Sequence, residues 1–555
     1  MIIVFLQRLV EYADRLEDAP RNYVKRTVNW VVDVGSNGRW IGTGFVKLDK
    51  GVHHLVPYVE RQGTGLQPIL LYEKPEYALG AFLGKEMTAA TIAKAAAKHE
   101  SFRKLVDDCA ESTRSPDVVA ISGALRSEDR PPIPKEMKAG DWILFRVDGR
   151  FPSDDLLVQE FWKKRNVRDK VGSEFVCLGC GQSCAPEDRH RTPIPLRGRH
   201  TKLISANEPA YSSFGLKESL IAPTCSECAR KYADSLCFLV SSETNHLVVG
   251  NLTYIFWTRS SEEVDLLMLE SPDPVAVRKL LQSPKSGATM DSLASDEFYG
   301  AALSPNMARM AVRDWTETTV SSVQDRVANW FRRQQIGETE RYHGIFSIVA
   351  SLYPSKTRNV ADKIGPNFTL HLLRHALYAT RLPSSLLLQA LRRCVAESSE
   401  RKFTAPRMSF LKMYLLQNPR FREGDLMALD EERADPAYVC GRLMAQLERI
   451  QGLAVGNPNV TLVDRYYGTA STAPSSVFPY LLSNSQNHLA KIRRERKGLH
   501  TILSKELEGM FGLLNGFPKH LRPEEQALFA IGFYHQQQNI RAKITEMAEV
   551  KKGAI

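Results

Sequence analysis

The sequence predicts an α+β protein: a mixed α/β amino-terminal domain with a zinc-binding insertion, then a mostly α-helical carboxy-terminal bundle. Three observations carry this reading. Up to about residue 73, short alternating apolar runs are bounded by turn residues. Between 177 and 228, five of the nine cysteines crowd together. Past about residue 260, apolar residues recur at helical spacing. The expected domains are an α+β domain over 1–170, a Cys-rich module with strands over 171–260, a helical middle region over 261–425, and a helical bundle over 426–555. Loop-rich or breaker-rich stretches near 260–300 and 400–430 mark the boundaries.

At 555 residues the chain has room for several hydrophobic cores. Its 43% hydrophobic and 25% charged content is that of an ordinary globular protein, excluding disordered and collagen-like classes. Nine cysteines are too few for a disulfide scaffold, and their clustering points to a reducing compartment and a local metal site. MIIVFLQRLVEYADRL reads as an amphipathic helix, not a signal peptide. No apolar run is long enough for a membrane span, so a cytoplasmic protein is expected. The formal charge of +11 suggests a polyanionic partner, because neutralised phosphates release counterions.

In order, residues 1–20 predict a first helix. TVNWVVDV (27–34) alternates like a strand, Gly35-Ser36-Asn37-Gly38 signals a hairpin turn, and RWIGTGFVKL (39–48) is its partner. HHLVPYV (53–59) and QPILLYE (67–73) continue the strand pattern. Residues 78–110 switch to helical spacing, and DWILFRVDG (141–149) reads as another strand. The cysteines at 171–240 sit among loops, and LVVGNLTYIFWTR (247–259) reads as one buried strand. In the stretch 304–335, Ser304 as N-cap and Pro305 at the first helical position predict a helix, with Met307, Met310, Ala311 and Trp315 on one stripe. Residues 367–396, 436–452 and 474–550 add helices.

FVCLGCGQSC (175–184) and PTCSEC (223–228) are two Cys-x2-Cys knuckles separated by 44 residues. Each lets two thiolates meet one ion across a tight turn, which Gly179 and Gly181 help to form. Cys177, Cys180, Cys225 and Cys228 are the best quartet for a closed tetrahedral structural zinc, with Cys184, His190 and Cys237 as spare ligands. The long gap requires an insertion that loops out. A catalytic zinc keeps an open position and a nearby base, which an all-cysteine set does not offer.

The segment 487–505 is strongly basic. Lys491, Arg493, Arg494, Arg496 and Lys497 stand against one acid, Glu495, over an apolar stripe of Leu482, Leu489, Ile492, Leu499, Ile502, Leu503 and Leu507. A helix apolar on one side and cationic on the other suits a phosphate backbone. None of the phosphate-binding, metalloprotease, nucleophile-elbow or Rossmann motifs is found, so no enzyme is expected.

Taken together these stretches resemble the large subunit of type I-C CRISPR surveillance complexes (Cascade). LQRLVEYADRL (6–16), VNWVVDVGSNGRWIG (28–42) and LVPYVERQGTGLQPILLYEKPEYALG (55–80) follow that family's amino-terminal pattern. FYGAALSPNMARMAVRDW (298–315), ADPAYVCGRLMAQLERIQ (434–451) and VDRYYGTASTAPSSVFPYLLSNSQNHLAKI (463–492) carry the rest, in order along nearly the whole chain.

The resemblance implies a non-catalytic subunit that sits by the crRNA 5′ handle with backbone and crRNA-processing subunits. It would read the protospacer-adjacent motif (PAM) in double-stranded DNA, start the R-loop, help hold the displaced strand and recruit a separate helicase-nuclease. Guide pairing then reads the sequence, leaving the protein a short duplex reader and basic tracks. On this reading Arg61, Gln62 and Thr64, in the loop 61–65, would face base edges, while Lys25, Arg26, Lys74 and Lys85 clamp phosphates. The family also implies a small subunit made from an internal start, for which Met408, Met413 and Met427 are the candidates. The rival readings are a zinc-dependent nuclease and a stand-alone zinc-ribbon nucleic-acid binder.

Overall fold

The computed structural model describes the chain except residues 1, 17–22, 49–51, 59–64, 85–87, 167–174, 188–189, 191, 207, 209, 211, 213–214, 261–263, 283–295, 338–340, 423, 457–459 and 554–555. The chain forms two compact units. One is Val10–Arg191 with Ala222–Ala229; the other is Met1–Leu9, Thr192–Ile221 and Arg230–Ile555. Two of the four boundaries fall within α1 (Ile2–Ala13) and α6 (Ser226–Ser241).

The first unit is built on β1 (Tyr23–Thr27), β2 (Trp30–Val34), β3 (Trp40–Lys47), β4 (His53–Pro57), β5 (Tyr72–Glu73) and β6 (Ile143–Val147). One sheet has the order β3-β2-β6-β5, with β2 and β6 parallel and the other pairs antiparallel; β1 and β4 form a separate pair. The β2–β3 turn lies where the glycines predict it, with Gly38 in the left-handed region at φ 73°. A parallel return from β2 to β6 needs a long connection, and α2 (Pro75–Ala78), α3 (Ala89–Thr113) and α4 (Pro116–Arg126) lie in it. Thr88 caps α3 by accepting from the Thr91 N–H, and Pro116 opens α4. The core gathers Trp30, Val32, Phe102, Phe145 and Trp162, the last from α5 (Leu156–Arg165). Asp33 and Arg146, opposite one another on β2 and β6, make a bidentate ion pair with both bonds at 2.6 Å.

The QPILLYE stretch yields only the two-residue β5. Leu71 adopts φ 56°, and the buried Glu73 carboxylate accepts from the Ile69 N–H at 2.8 Å and the Lys74 N–H at 2.9 Å. A side chain therefore does what a longer ladder would have done.

In the second unit, the β9 (Ile194–Leu196) and β10 (Arg199–Thr201) pair precedes a four-stranded antiparallel sheet, β11-β12-β13-β14. The 247–259 run is a hairpin, not one strand: β11 (His246–Val249) and β12 (Leu252–Thr258) turn at Gly250, φ 57°. After α7 (Pro274–Gln282) comes a larger correction. The helix expected from Ser304 is instead β13 (Glu297–Asn306) paired with β14 (Arg309–Thr319), and α8 (Val320–Gln334) starts only at Val320. Met307 takes the turn at φ 55° and is 81% exposed. Trp315, placed by the helical reading on an apolar stripe, stacks instead on Tyr299 with ring centroids 6.0 Å apart. Pairing with a distant strand overrides the local 3.6-residue spacing.

Beyond α8 the unit is helical, as expected: α9 (Ile345–Ser351), α10 (Val360–Lys363), α11 (Pro366–Tyr378), α12 (Ser384–Ala396), α13 (Ser399–Lys402), α14 (Ala405–Leu415), α15 (Pro436–Val455), α16 (Leu462–Thr472), α17 (Pro474–Glu495), α18 (Lys497–Gly512) and α19 (Pro523–Gly553). Glycines set the α15–α19 crossing. A Cβ on Gly441 would overlap the Phe529 carbonyl, and one on Gly532 would overlap the Tyr438 carbonyl. Each helix thus offers the other a notch.

Buried cations finish several of these helices. The Lys402 ammonium bonds the carbonyls of Val395 and Glu397 at the end of α12. Arg407 bonds the Ser351 carbonyl at the end of α9, at 2.9 and 2.6 Å, and Lys412 the Gln335 carbonyl after α8. All three side chains are buried, so they satisfy carbonyls that the helix ends leave open and meet the negative end of each dipole. Among the described residues no helix is long and apolar enough to cross a membrane.

Candidate metal centre

The first knuckle is a hairpin tip. β7 (Phe175–Val176) pairs with β8 (Ser183–Cys184), the Cys177 N–H donates to the Gln182 carbonyl, and the Gly181 N–H donates to the Cys177 carbonyl, both at 2.9 Å. Gly181 closes the turn at φ 75°. The second knuckle is a helix start. The Cys225 carbonyl accepts from the Ala229 N–H at 2.9 Å, which makes Cys225 the N-cap of α6 and puts Cys228 in its first turn. The knuckles are tied by backbone bonds from Leu178 N–H to the Pro223 carbonyl and from Glu187 N–H to the Thr224 carbonyl, both 2.9 Å.

These ties bring Cys177, Cys180, Cys225 and Cys228 together, with all four sulfurs within 4.8 Å of one another. Four thiolates about 2.3 Å from a tetrahedral zinc lie about 3.8 Å apart, so only a small contraction separates the observed spacing from ligation. Two N–H groups already point at sulfur, Cys225 N–H to Cys177 Sγ at 3.3 Å and Cys228 N–H to Cys225 Sγ at 3.4 Å. Such donors hold and stabilise thiolate ligands. Hydrogen bonds from Cys228 pull the Cys225 thiol down to about 5, and the same pairing pushes Cys228 up. One thiolate in the group raises its neighbours, a conflict that a divalent cation removes. The four cysteines could hold a metal ion, and zinc suits the donor set.

The spare ligands lie outside this group. Burial pushes Cys184 up to about 11, and Cys237 hydrogen-bonds the Pro193 carbonyl. The 44-residue gap does loop out, since Thr192–Ile221 belongs to the other unit. Gly179 has a role that the turn argument alone does not reveal: Cys228 packs directly on it.

The cations expected at nucleic acid lie in both units. Lys25 and Arg26 fall on β1, with the Arg26 guanidinium 4.5 Å from the Tyr58 ring centroid. The Lys74 ammonium lies 5.3 Å from the Trp142 ring centroid. Arg61, Gln62, Thr64 and Lys85 lie outside the described residues. Lys491, Arg493 and Arg494 are exposed on the last turns of α17, over the buried Leu489 and Ile492. The basic segment is not one helix, however. It breaks at Arg496, φ −146°, which donates to the Leu453 carbonyl at 2.8 Å, and Lys497 begins α18. Arg496 thereby supports the carboxy-terminal end of α15.

Comparison with known families identifies the class first: the chain is a CRISPR-associated protein. The model of the family described as CRISPR-associated protein (Cas_Csd1) matches residues 9–541, and the chain belongs to that family. No curated protein matches it.

Proposed function

We propose that this chain is the non-catalytic large subunit of a crRNA-guided type I-C surveillance complex. In that role it recognises the PAM in double-stranded DNA, promotes R-loop formation and recruits a separate helicase-nuclease. The observation that carries this reading is the family match, which runs over nearly the whole chain. Exposed cations at the end of α17 supply the phosphate contacts such a subunit needs. Zinc, on this reading, is architecture: four thiolates fill a tetrahedral shell and leave no position for an attacking water. That argues against the zinc-nuclease alternative.

Native purification tests the proposal. The complex should carry a guide RNA and other CRISPR-associated subunits, and should bind PAM-containing duplex in preference to duplex without it. A chain that purifies alone, without RNA, and binds duplexes indifferently would be a stand-alone nucleic-acid binder instead.

A further inference from the structure

A feature of the carboxy-terminal helices points to a ligand independently of the cation count. Tyr480 of α17 is 53% exposed, and its ring centroid lies 5.8 Å from that of Tyr466 on α16, with the planes inclined by 55°. The Arg465 guanidinium sits 5.5 Å from the Tyr466 ring centroid. Packed beside Tyr466 yet half open to solvent, the Tyr480 ring offers an aromatic surface that a base can cover.

The pair continues into the basic track. On α17, Tyr480, Asn484, Lys491 and Arg494 follow the spacing i, i+4, i+11, i+14 and share one exposed side. Lys491 lies about 16 Å, and Arg494 about 21 Å, along the axis from Tyr480. An aromatic platform followed by cations along one line is the arrangement that accepts bases and then phosphates of a single strand.

We propose that Tyr480 and Tyr466 form a base-stacking platform for single-stranded nucleic acid, whose backbone runs along α17 to Lys491 and Arg494. This rests on the nucleic-acid reading above and deepens it by naming the side chains that would take the bases of an unpaired strand. A duplex keeps its base faces stacked on one another, so the platform selects unpaired strand.

The test uses the full chain and three labelled probes: a 20-nucleotide oligo(dT), an abasic strand of equal length, and a 20-base-pair duplex. Tyr480→Leu should weaken oligo(dT) binding roughly 5- to 150-fold, the worth of one stacked base. Tyr480→Phe, which keeps the ring, should bind like wild type. Binding of the abasic strand and the duplex should not change, and neither should the salt dependence of oligo(dT) binding. Oligo(dT) carrying 5-iodouracil should photocross-link to Tyr480, which reads the contact without any variant. Equal loss on oligo(dT) and the abasic strand would overturn the platform, as would a Phe variant as weak as the Leu variant or cross-links that avoid both tyrosines. A complex that retains guide RNA and PAM preference in those cases loses only the platform. Absence of RNA from the native complex would remove the broader reading.

Discussion

Gly179 and Cys228 touch so closely that a Cβ on Gly179 would sit 2.8 Å from the Cys228 Cβ and 2.9 Å from its Sγ. The glycine is one wall of the cysteine cluster. Gly179→Ala should therefore displace a ligand and cost about 1–3 kcal/mol, the usual penalty of overpacking. Zinc per chain, measured by plasma mass spectrometry after dialysis, should fall in this variant. Cys228→Ala should lose the metal outright and loosen the knuckles. Wild-type protein free of zinc when prepared without chelator would remove the structural-zinc reading.

Lys491, Arg493 and Arg494 are exposed, whereas Arg496 is engaged with Leu453. Replacing the first three by Gln should reduce the slope of log affinity against log salt by about 0.7 per lost contact with single strands. Affinity should fall alike for all sequences, since phosphates carry no base information. Arg496→Gln should instead lower thermal stability and leave the slope nearly unchanged. A triple variant with an unaltered slope would mean that this face meets protein, not nucleic acid.

His535 is buried, and burial together with the nearby charges of Lys412 and Arg433 lowers its pKa from 6.5 to about 3. Its Nδ1 lies 3.0 Å from the Tyr438 hydroxyl. The unfolded chain takes up this proton near pH 6.5 and the folded one only near pH 3. The unfolded state thus holds more protons in between, and stability must fall as pH drops through that window. The slope contributed by this one group is at most about 1.4 kcal/mol per pH unit. On lowering the pH from 7 to 4.5, the urea midpoint of wild type should fall relative to that of His535→Gln, which has no such proton to take up. A constant difference across that range would exclude it.

Lys412→Met removes the ammonium that bonds the Gln335 carbonyl in the core. The stranded carbonyl should cost about 1–3 kcal/mol, read as a lower urea midpoint. Lys505→Met, at an exposed position of α18, should stay within about 0.5 kcal/mol of wild type.

Much of the α/β unit was legible because alternation and turn chemistry are local. β2, its glycine turn and β3 need only the neighbouring residues to declare themselves. The cysteine quartet was legible for the same reason, since each pair sits within one turn. The β13–β14 hairpin was not, because Ser304-Pro305 imitates a helix cap and Met307, Met310, Ala311 and Trp315 fit helical spacing. What decides that segment is β12, whose residues lie 40 to 50 positions upstream of their partners on β13. Lys and Arg are as a rule exposed, so nothing local marks Lys402, Arg407 and Lys412 as buried; Arg407 and Lys412 go inside to meet helix ends more than fifty residues away. The break at Arg496 lacks a proline, and its support comes from α15.

The reciprocal notches of Gly441 and Gly532 impose an order on synthesis. Gly532 follows Gly441 by about ninety residues, which a ribosome adds in roughly 5 to 18 seconds. For that interval α15 exists with α19 still incomplete, and its notched face has nothing to grip. A product begun at Met427 would contain both notches and could close the clasp by itself, but without α14, which carries Met408 and Met413 into the core. Its uncovered side would then need a companion chain, most simply the full-length protein translated from the same message.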